Sequence, residues 1–162
     1  MGRGLVVYFS VYGSTRRAAQ TVAARAGAEL AEIRPAVPYD DDPRHYESLL
    51  SEVKNEHARQ VRPELARTIA VADHDPVFLG YPLWDSTLPM PVFSFLEEYE
   101  LSDRTIAPFN THMGGADAGT YATIAEWTPG ATVLPGLPIQ SDAARAGPVE
   151  AVVEWLTGLG LP

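Results

Sequence analysis

Hydroxyl and glycine residues follow the first apolar stretch of the chain, where a strand would end and a helix begin. The apolar stretch is residues 5–9 (LVVYF), and the polar run behind it is residues 10–15 (SVYGST). An Ala-rich segment with helical spacing comes next, so backbone N–H groups and hydroxyls converge on a helix N-terminus. Such a turn suits a phosphate, because the helix dipole favours anions there. The same residues are also common helix N-caps, and this loop alone leaves both interpretations open.

Two further loops carry residue types that suit an aromatic ligand. Residues 81–87 (YPLWDST) follow a second apolar run, and residues 110–121 (NTHMGGADAGTY) follow a third. Trp84 either offers a flat platform to a ligand or covers the core. The Gly-rich segment is either a binding loop or only a turn. If the strands are parallel, the three loops lie together at one edge of the sheet, which is where ligands bind in such folds.

The elements that would position these loops are apolar strands alternating with amphipathic helices. We predict a helix over residues 14–26, a weaker strand over 28–33 and a helix from about 91. This alternation is typical of a parallel sheet covered by helices on both faces. Pro108 is awkward within the strand at 105–110, because proline has no N–H to donate, and it indicates a local bulge.

Further helices are predicted on either side of the central strands. Pro63 opens one, with Leu65 and Ile69 facing inward. Pro148 opens the last. Its predicted apolar face consists of Val149, Val152, Val153 and Leu156.

Composition limits the classes of function. The chain has 162 residues and 46% hydrophobic residues, which suits one domain over residues 1–162. It has no cysteine, which excludes disulfides and thiolate chemistry. The net charge of −9 disfavours nucleic acid, and it either permits docking to a basic protein surface or only keeps the protein soluble. No apolar run reaches transmembrane length and no signal segment is evident, so we expect a cytoplasmic protein.

The charged and histidine residues between the loops do not form a metal motif. Asp42 before Pro43 is typical of a helix cap, and residues 40–42 lack further ligands at calcium-loop spacing. His45 and His57 are not spaced as a helical metal pair, so we interpret both as surface residues. No metal site is predicted. Arg16 and Arg17 lie in the first helical turn, either beside a bound dianion or in solvent.

The three loops together resemble those of the flavodoxin family, in particular the bacterial flavodoxin-like proteins with a GYPxW loop. The resemblance rests on YFSxxGST at residues 8–15, GYPLW at 80–84 with LPMP at 88–91, and PFNTHxGG at 108–115. It covers nearly the whole chain. It implies a three-layer α/β sandwich with a five-stranded parallel sheet in the order 2-1-3-4-5. It also implies non-covalently bound FMN.

The resemblance implies a role for each loop. The FMN phosphate would lie in the first turn and the flavin ring beside the second loop, with its pyrimidine edge against the third. His112 would either donate a hydrogen bond to reduced flavin or be held by the backbone, and Tyr121 could also reach the ring. The implied cofactor-binding residues are Ser10, Tyr12, Gly13, Ser14, Thr15, Pro82, Leu83, Trp84, Asp85, Thr111, His112, Gly114, Gly115 and Tyr121.

Three positions depart from the family pattern. Tyr12 stands where many flavodoxins have Thr, and Ser14 stands where Asn is common. Asp85 stands where electron-carrier flavodoxins often have the Gly whose peptide turns over when the flavin is reduced. Asp adopts a positive φ at greater cost than Gly, and a carboxylate near the ring disfavours an anionic reduced flavin.

Three functions follow from these observations. The first is electron transfer through FMN to a redox partner with a basic docking surface. The second is an FMN-dependent NAD(P)H oxidoreductase acting on quinones or another small acceptor. Residues 34–62 would then form a wall of the substrate pocket that includes Tyr46 and His57, or they are only a variable surface excursion. The third is a flavin-free binding module.

Overall fold

The structure is a computed structural model that describes residues 2–161. Its strands are β1 (Leu5–Tyr8), β2 (Glu29–Glu32), β3 (Val77–Pro82), β4 (Thr105–His112), β5 (Thr132–Val133) and β6 (Leu137–Gln140). Its helices are α1 (Ser14–Ala26), α2 (Tyr46–Arg59), α3 (Met90–Glu98), α4 (Thr120–Trp127), α5 (Ser141–Ala146) and α6 (Val149–Gly158). A 3-10 turn at Pro43–His45 precedes α2, and Asp42 caps it as predicted, its carboxylate accepting from the Arg44 N–H. No helix within residues 2–161 is long and apolar enough to cross a membrane.

The strands form one parallel sheet in the order β2-β1-β3-β4-β5. Strand β6 also pairs with β4, further along the same edge that β5 occupies. The predicted flavodoxin-like architecture is therefore confirmed, with its fifth strand split in two. Pairing between β3 and β4 is continuous through Pro108, which lies opposite Leu79. The bulge falls on the other side of β4, where one extra residue separates the pairs Ile106–Val133 and Phe109–Leu137. The missing N–H of Pro108 thus coincides with a gap in the neighbouring strand.

Two apolar cores cover the two faces of the sheet, because successive residues of the buried strands point to opposite sides. Leu5 and Val7 of β1 face the core beneath α3 and α4. Val6 and Tyr8 face the core beneath α1, α5 and α6. Small residues on α1 bring this helix close to the sheet. Its buried residues are Ser14, Thr15, Ala18, Ala19, Thr21 and Val22.

Two sequence predictions about helices are wrong. No helix follows Pro63, because the backbone of that segment bonds to an earlier stretch instead. The Ala36 N–H donates to the Glu64 carbonyl and the Ala66 N–H to the Arg34 carbonyl, each at 2.7 Å. Leu65 and Ile69 nevertheless pack inward, as predicted.

The buried face of α6 differs in part from the predicted one. Val152 and Leu156 are buried as predicted, but Val149 and Val153 are 38% and 42% exposed, whereas Trp155 is 8% exposed. The Trp155 indole N–H donates to the Pro135 carbonyl at 2.8 Å, and the ring lies on Phe109. A large aromatic side chain with a buried hydrogen bond therefore decides which side of the helix faces the sheet.

Candidate functional site

The first loop forms a tight turn into α1. Gly13 adopts a φ of 100°, in the left-handed region that side chains disfavour. Its N–H donates to the Ser10 hydroxyl at 3.3 Å, and its carbonyl accepts from the Arg17 N–H. Ser14 and Thr15 then begin the helix with their side chains buried. The turn thus gathers hydroxyls at the positive end of the α1 dipole.

An arginine from the far end of the chain reaches this turn. The Arg145 guanidinium on α5 donates to the Ser14 hydroxyl at 3.2 Å. Helix α5 is joined to the third loop through Ser141, whose hydroxyl donates to the His112 carbonyl at 3.1 Å. Arg16 points away from the turn, because it binds Glu32 at 3.0 Å on the sheet edge, and the Arg17 guanidinium lies beside Gly147, which follows α5. Arg145 is therefore the cation that contacts the turn, and it is not among the predicted residues.

The second loop is a two-residue turn between Trp84 and Thr87. The Trp84 N–H donates to the Thr87 carbonyl at 3.1 Å, and the Thr87 N–H donates back at 2.9 Å. Asp85 and Ser86 between them have φ values of 49° and 58°. Positive φ at both central positions is the pattern of a type I′ turn, for which Asn and Gly are preferred. Here both central positions carry residues other than Asn and Gly, and these adopt a positive φ only at a cost in conformational energy.

Trp84 packs against two other aromatic rings. Its ring meets Phe9 and Tyr39 edge to face, with centroids 5.1 Å apart in each case. Such pairs contribute about 1 kcal/mol each beyond the area they bury. Trp84 is half-buried and lines a cavity, so it both covers the core and presents a surface to a ligand.

The third loop is held by its own hydrogen bonds. The Gly114 N–H donates to His112 Nδ1 at 2.9 Å, which leaves Nε2 as the protonated nitrogen of the neutral ring. His112 is therefore held by the backbone, one of the two predicted arrangements. The Asn110 amide donates to the Ala116 carbonyl at 2.8 Å, and the Tyr121 hydroxyl donates to Asn110 Oδ1. Burial raises the pKa of Tyr121, so its hydroxyl stays protonated.

One cavity of about 310 Å³ joins the three loops. Ten of the predicted residues line it: Ser10, Tyr12, Ser14, Thr15, Pro82, Leu83, Trp84, Asp85, Thr111 and His112. Gly13, Gly114, Gly115 and Tyr121 do not. Gly13 shapes the first turn, Gly115 lies against Leu83, and Tyr121 is engaged by Asn110.

Helix α2 forms a wall of the same cavity. Its apolar face, Tyr46, Leu49, Leu50 and Val53, lines the cavity instead of joining either core. Leu49 and Val53 are 3% and 2% exposed. Of the two residues named for a pocket wall in residues 34–62, Tyr46 therefore lines the cavity and His57 does not.

The interpretation of His57 as a surface residue is wrong. Its side chain is 10% exposed, and it lies against the second loop with Nδ1 3.7 Å from Asp85 Oδ2. His45 is exposed as predicted and pairs with Asp40 at 2.6 Å. The difference arises because His57 is on the side of α2 that faces the molecule.

Tyr12 lines the cavity, packs its ring against Tyr46 and carries a buried hydroxyl. The oxygen is covered by protein and has no hydrogen-bond partner among the described residues. Burial, with the carboxylates of residues 40–42, raises the pKa of Tyr12, so the group is a neutral donor. A buried donor without an acceptor is costly to leave unsatisfied, so this atom calls for a ligand.

A sequence model of the flavodoxin family matches residues 3–157 of this chain. The chain belongs to the flavodoxin family. A search of curated protein sequences finds no match.

Solved structures of the flavodoxin fold resemble the whole molecule. A protein from Bacteroides eggerthii described as a flavoprotein is 28% identical, with a TM-score of 0.78 and full coverage of both chains. A similarly described protein from Bacteroides uniformis is 26% identical, with a TM-score of 0.84, covering 96% of this chain and 98% of its own. A Lactobacillus acidophilus flavoprotein in complex with FMN is 19% identical, with a TM-score of 0.72 over 91% and 99% of the two chains, and shows the shared fold.

Several lining residues of this flavodoxin-family site were not among those predicted to bind the cofactor. They are Val11, Tyr46, Leu49, Leu50, Val53, Met113, Ser141 and Arg145. Helix α5 carries two of them and was missed because it has only six residues. The signal for it was present: Asp142 lies in its first turn, Arg145 in its last, and Gly147 follows.

Proposed function

We propose that this protein binds FMN in the cavity between the three loops and transfers electrons through it. The observation that carries the proposal is the division of the cavity into two chemically different ends. Ser10, Ser14 and Arg145 line a polar, cationic end, whereas Leu83 and Trp84 line an apolar end. FMN has a phosphate at one end and a flat aromatic ring at the other. The bound flavin would supply the redox chemistry.

The residues present fit a phosphate at the first turn. Arg145 offers a guanidinium, Ser14 a hydroxyl and α1 its N-terminal N–H groups. The unpartnered Tyr12 hydroxyl is a further donor that a ligand would satisfy. These groups bind and orient the anion, and Arg145 offsets its charge in a chain whose net charge is −9.

Purified protein tests this function directly. We expect it to be yellow, or to show a rise in Tm on addition of FMN, and to bind riboflavin more weakly because riboflavin lacks the phosphate. A colourless protein whose Tm does not respond to FMN would overturn the proposal and favour the flavin-free binding module.

A second candidate is an FMN-dependent NAD(P)H oxidoreductase acting on quinones or other small acceptors. The α2 wall favours it, because Tyr46, Leu49 and Val53 present apolar surface toward the cavity. Photoreduction of the FMN-loaded protein separates the two. Accumulation of one-electron-reduced flavin supports electron transfer, whereas direct two-electron reduction with turnover of NAD(P)H and a quinone supports the oxidoreductase.

For electron transfer, the acidic surface suggests a partner with a basic docking face. Asp85 lines the cavity and Asp42 is partly exposed before α2, while Met113 at the cavity is 82% exposed. Opposite charges around an exposed apolar contact steer association and weaken with salt. We expect the rate of electron exchange with a basic partner protein to fall as ionic strength rises. An unchanged rate would argue against such a partner.

A further inference from the structure

His57 is a buried histidine whose ring nitrogens both lack a hydrogen-bond partner among residues 2–161. It lies in the last turn of α2 with 10% of its side chain exposed. Buried polar side-chain atoms are nearly always hydrogen-bonded, so a ring with neither nitrogen satisfied requires an explanation. Its Nδ1 atom lies 3.7 Å from the carboxylate of Asp85. That separation is just beyond a hydrogen bond and within the range of an ion pair.

Asp85 belongs to a segment that needs support. It is the first of the two positive-φ residues in the turn between Trp84 and Thr87. Neither central residue is Gly or Asn, so the turn depends on its surroundings to hold this conformation. The side chain of Asp85 is 43% exposed, and His57 approaches it from the protein side.

We propose that His57 is a positioning residue that latches α2 to the Trp84–Thr87 turn when it is protonated. Proton uptake from solvent makes both ring nitrogens donors, and Nδ1–H then donates to the Asp85 carboxylate. Loss of that proton removes the charge, so the ion pair is lost and the turn is released from α2. No other bond forms or breaks.

The charges around His57 agree with this assignment. Asp85 faces it from the turn, and Glu56 adjoins it on α2 and interacts with it electrostatically. Glu56 is itself engaged by the Tyr39 hydroxyl, which donates to it at 2.7 Å. Histidine changes charge between pH 5 and 8. The latch is therefore engaged when His57 carries its proton, toward lower pH, and released when that proton is lost, toward higher pH.

The latch connects two walls of one cavity. Helix α2 contributes Leu49 and Val53, and the turn contributes Trp84 and Asp85. A protonated His57 would thus hold these two walls together. The consequence for FMN rests on the proposed function, whereas the latch itself does not.

Amide hydrogen exchange of the FMN-free full chain tests the latch. The Trp84 and Thr87 amides bond to each other's carbonyls, so their protection factors report how firmly the turn is held. We expect both protection factors to be about fivefold higher at pH 5.5 than at pH 8 after correction for intrinsic exchange. The Leu79 amide in the central strand β3 reports global opening and should change much less.

Three variants make the test specific. His57→Gln and Asp85→Asn should each abolish the pH difference at Trp84 and Thr87, and the double variant should go no further. Asn tolerates positive φ, so Asp85→Asn preserves the turn. His45→Gln, which removes the exposed histidine paired with Asp40, should retain the difference. Equal protection at both pH values in the natural chain, or a difference that survives in His57→Gln, would overturn the latch.

Titrations with FMN separate the latch from the proposed function. At pH 5.5, His57→Gln should weaken FMN binding about threefold relative to the natural chain, and at pH 8 the two should bind equally. If FMN does not bind any variant while the exchange difference persists, the FMN proposal fails and the latch stands. If the ratio of the Kd for FMN of His57→Gln to that of the natural chain is the same at both pH values, the link between the latch and the cavity fails.

Discussion

Helices α1 and α2 flank the same cavity, but they are attached to the molecule in different ways. Six residues of α1 are buried, and two of them, Ala18 and Ala19, belong to the core between this helix and the sheet. On α2, Leu49 and Val53 are buried and face the cavity, and His57 buries its side chain against the second loop. Helix α1 therefore packs into a core of the fold, whereas α2 only covers the cavity. We therefore expect the proposed phosphate site beside α1 to be rigid and the proposed ring site beside α2 to be adjustable.

The largest effect is expected for Trp84, whose side chain both packs against other aromatic rings and lines the cavity. Trp84→Ala removes two edge-to-face pairs, and we expect the free energy of unfolding to fall by about 2 kcal/mol. It should also raise the Kd for FMN at least tenfold, roughly 1.4 kcal/mol, measured by flavin fluorescence.

Trp127→Ala is the matched control, because Trp127 packs on Phe93 at 5.0 Å outside the cavity. It should lower stability while leaving FMN affinity unchanged. Unchanged affinity in Trp84→Ala would show that the second loop does not hold the ring.

The rigidity of the phosphate end is tested by Gly13→Ala. The φ of 100° disfavours any side chain, while a Cβ at this position would meet no atom within 4 Å. The expected loss of about 1–2 kcal/mol in unfolding free energy is therefore a backbone effect. Chemical denaturation measures it, with Gly158→Ala as control. Gly158 lies at the end of α6 without positive φ, and that change should be neutral or stabilising. A Gly13→Ala protein as stable as the natural chain would mean that the turn is not fixed.

Arg145→Ala tests the charge at the same end. We expect a roughly fivefold loss of FMN affinity, because the exposed guanidinium is partly screened by water. The loss should shrink at high salt and be absent for riboflavin. Arg25→Ala, at the far end of α1, should leave both affinities alone. An equal loss for riboflavin would contradict a role at the phosphate.

The Trp84–Thr87 turn is expected to tolerate substitution, and one substitution there should raise the stability of the protein. Ser86→Gly relieves a φ of 58° and should raise the free energy of unfolding by about 0.5 kcal/mol. Thermal unfolding measures the gain. Ser51→Gly, in the exposed face of α2, should instead lower stability by about 0.5–1 kcal/mol. If Ser86→Gly is destabilising, the turn is held by its side chain and not strained.

The smallest effect concerns the attachment of α2 through Glu56. Burial raises the pKa of Glu56 above its usual value, so the folded chain binds this proton more tightly than the unfolded chain. Stability is therefore lost as pH rises through the usual glutamate range toward the raised pKa. Glu56→Gln still accepts from Tyr39, and its Tm should equal or exceed that of the natural chain at pH 7, the difference vanishing near pH 4. Glu126→Gln, an exposed change on α4, should show no such trend.

The sequence predicts the buried strands better than it predicts the surroundings of α2, for a physical reason. Strands β1, β3 and β4 are buried on both faces, so their apolar runs are visible locally. The amphipathic face of α2 is visible too, but the sequence does not say what it faces, because that depends on the path of residues 34–45. The same lack of long-range information hid the burial of His57.

Arg145 and the missing helix after Pro63 illustrate the same limit. Arg145 reaches Ser14 across most of the chain length, and no local pattern reports such a contact. The segment after Pro63 has the spacing of a helix, but its backbone groups are taken by residues 34–36. In both cases a distant partner outweighs the local pattern.

The bond between Thr15 and Thr111 has a consequence for how this site could change over time. Their hydroxyls lie 2.7 Å apart in a buried position, one at the start of α1 and the other near the end of β4. Loss of either hydroxyl leaves the other buried without its partner, whereas replacing both with valine removes the cost to each. We therefore expect the residues at these two positions to be substituted together during evolution, or not at all.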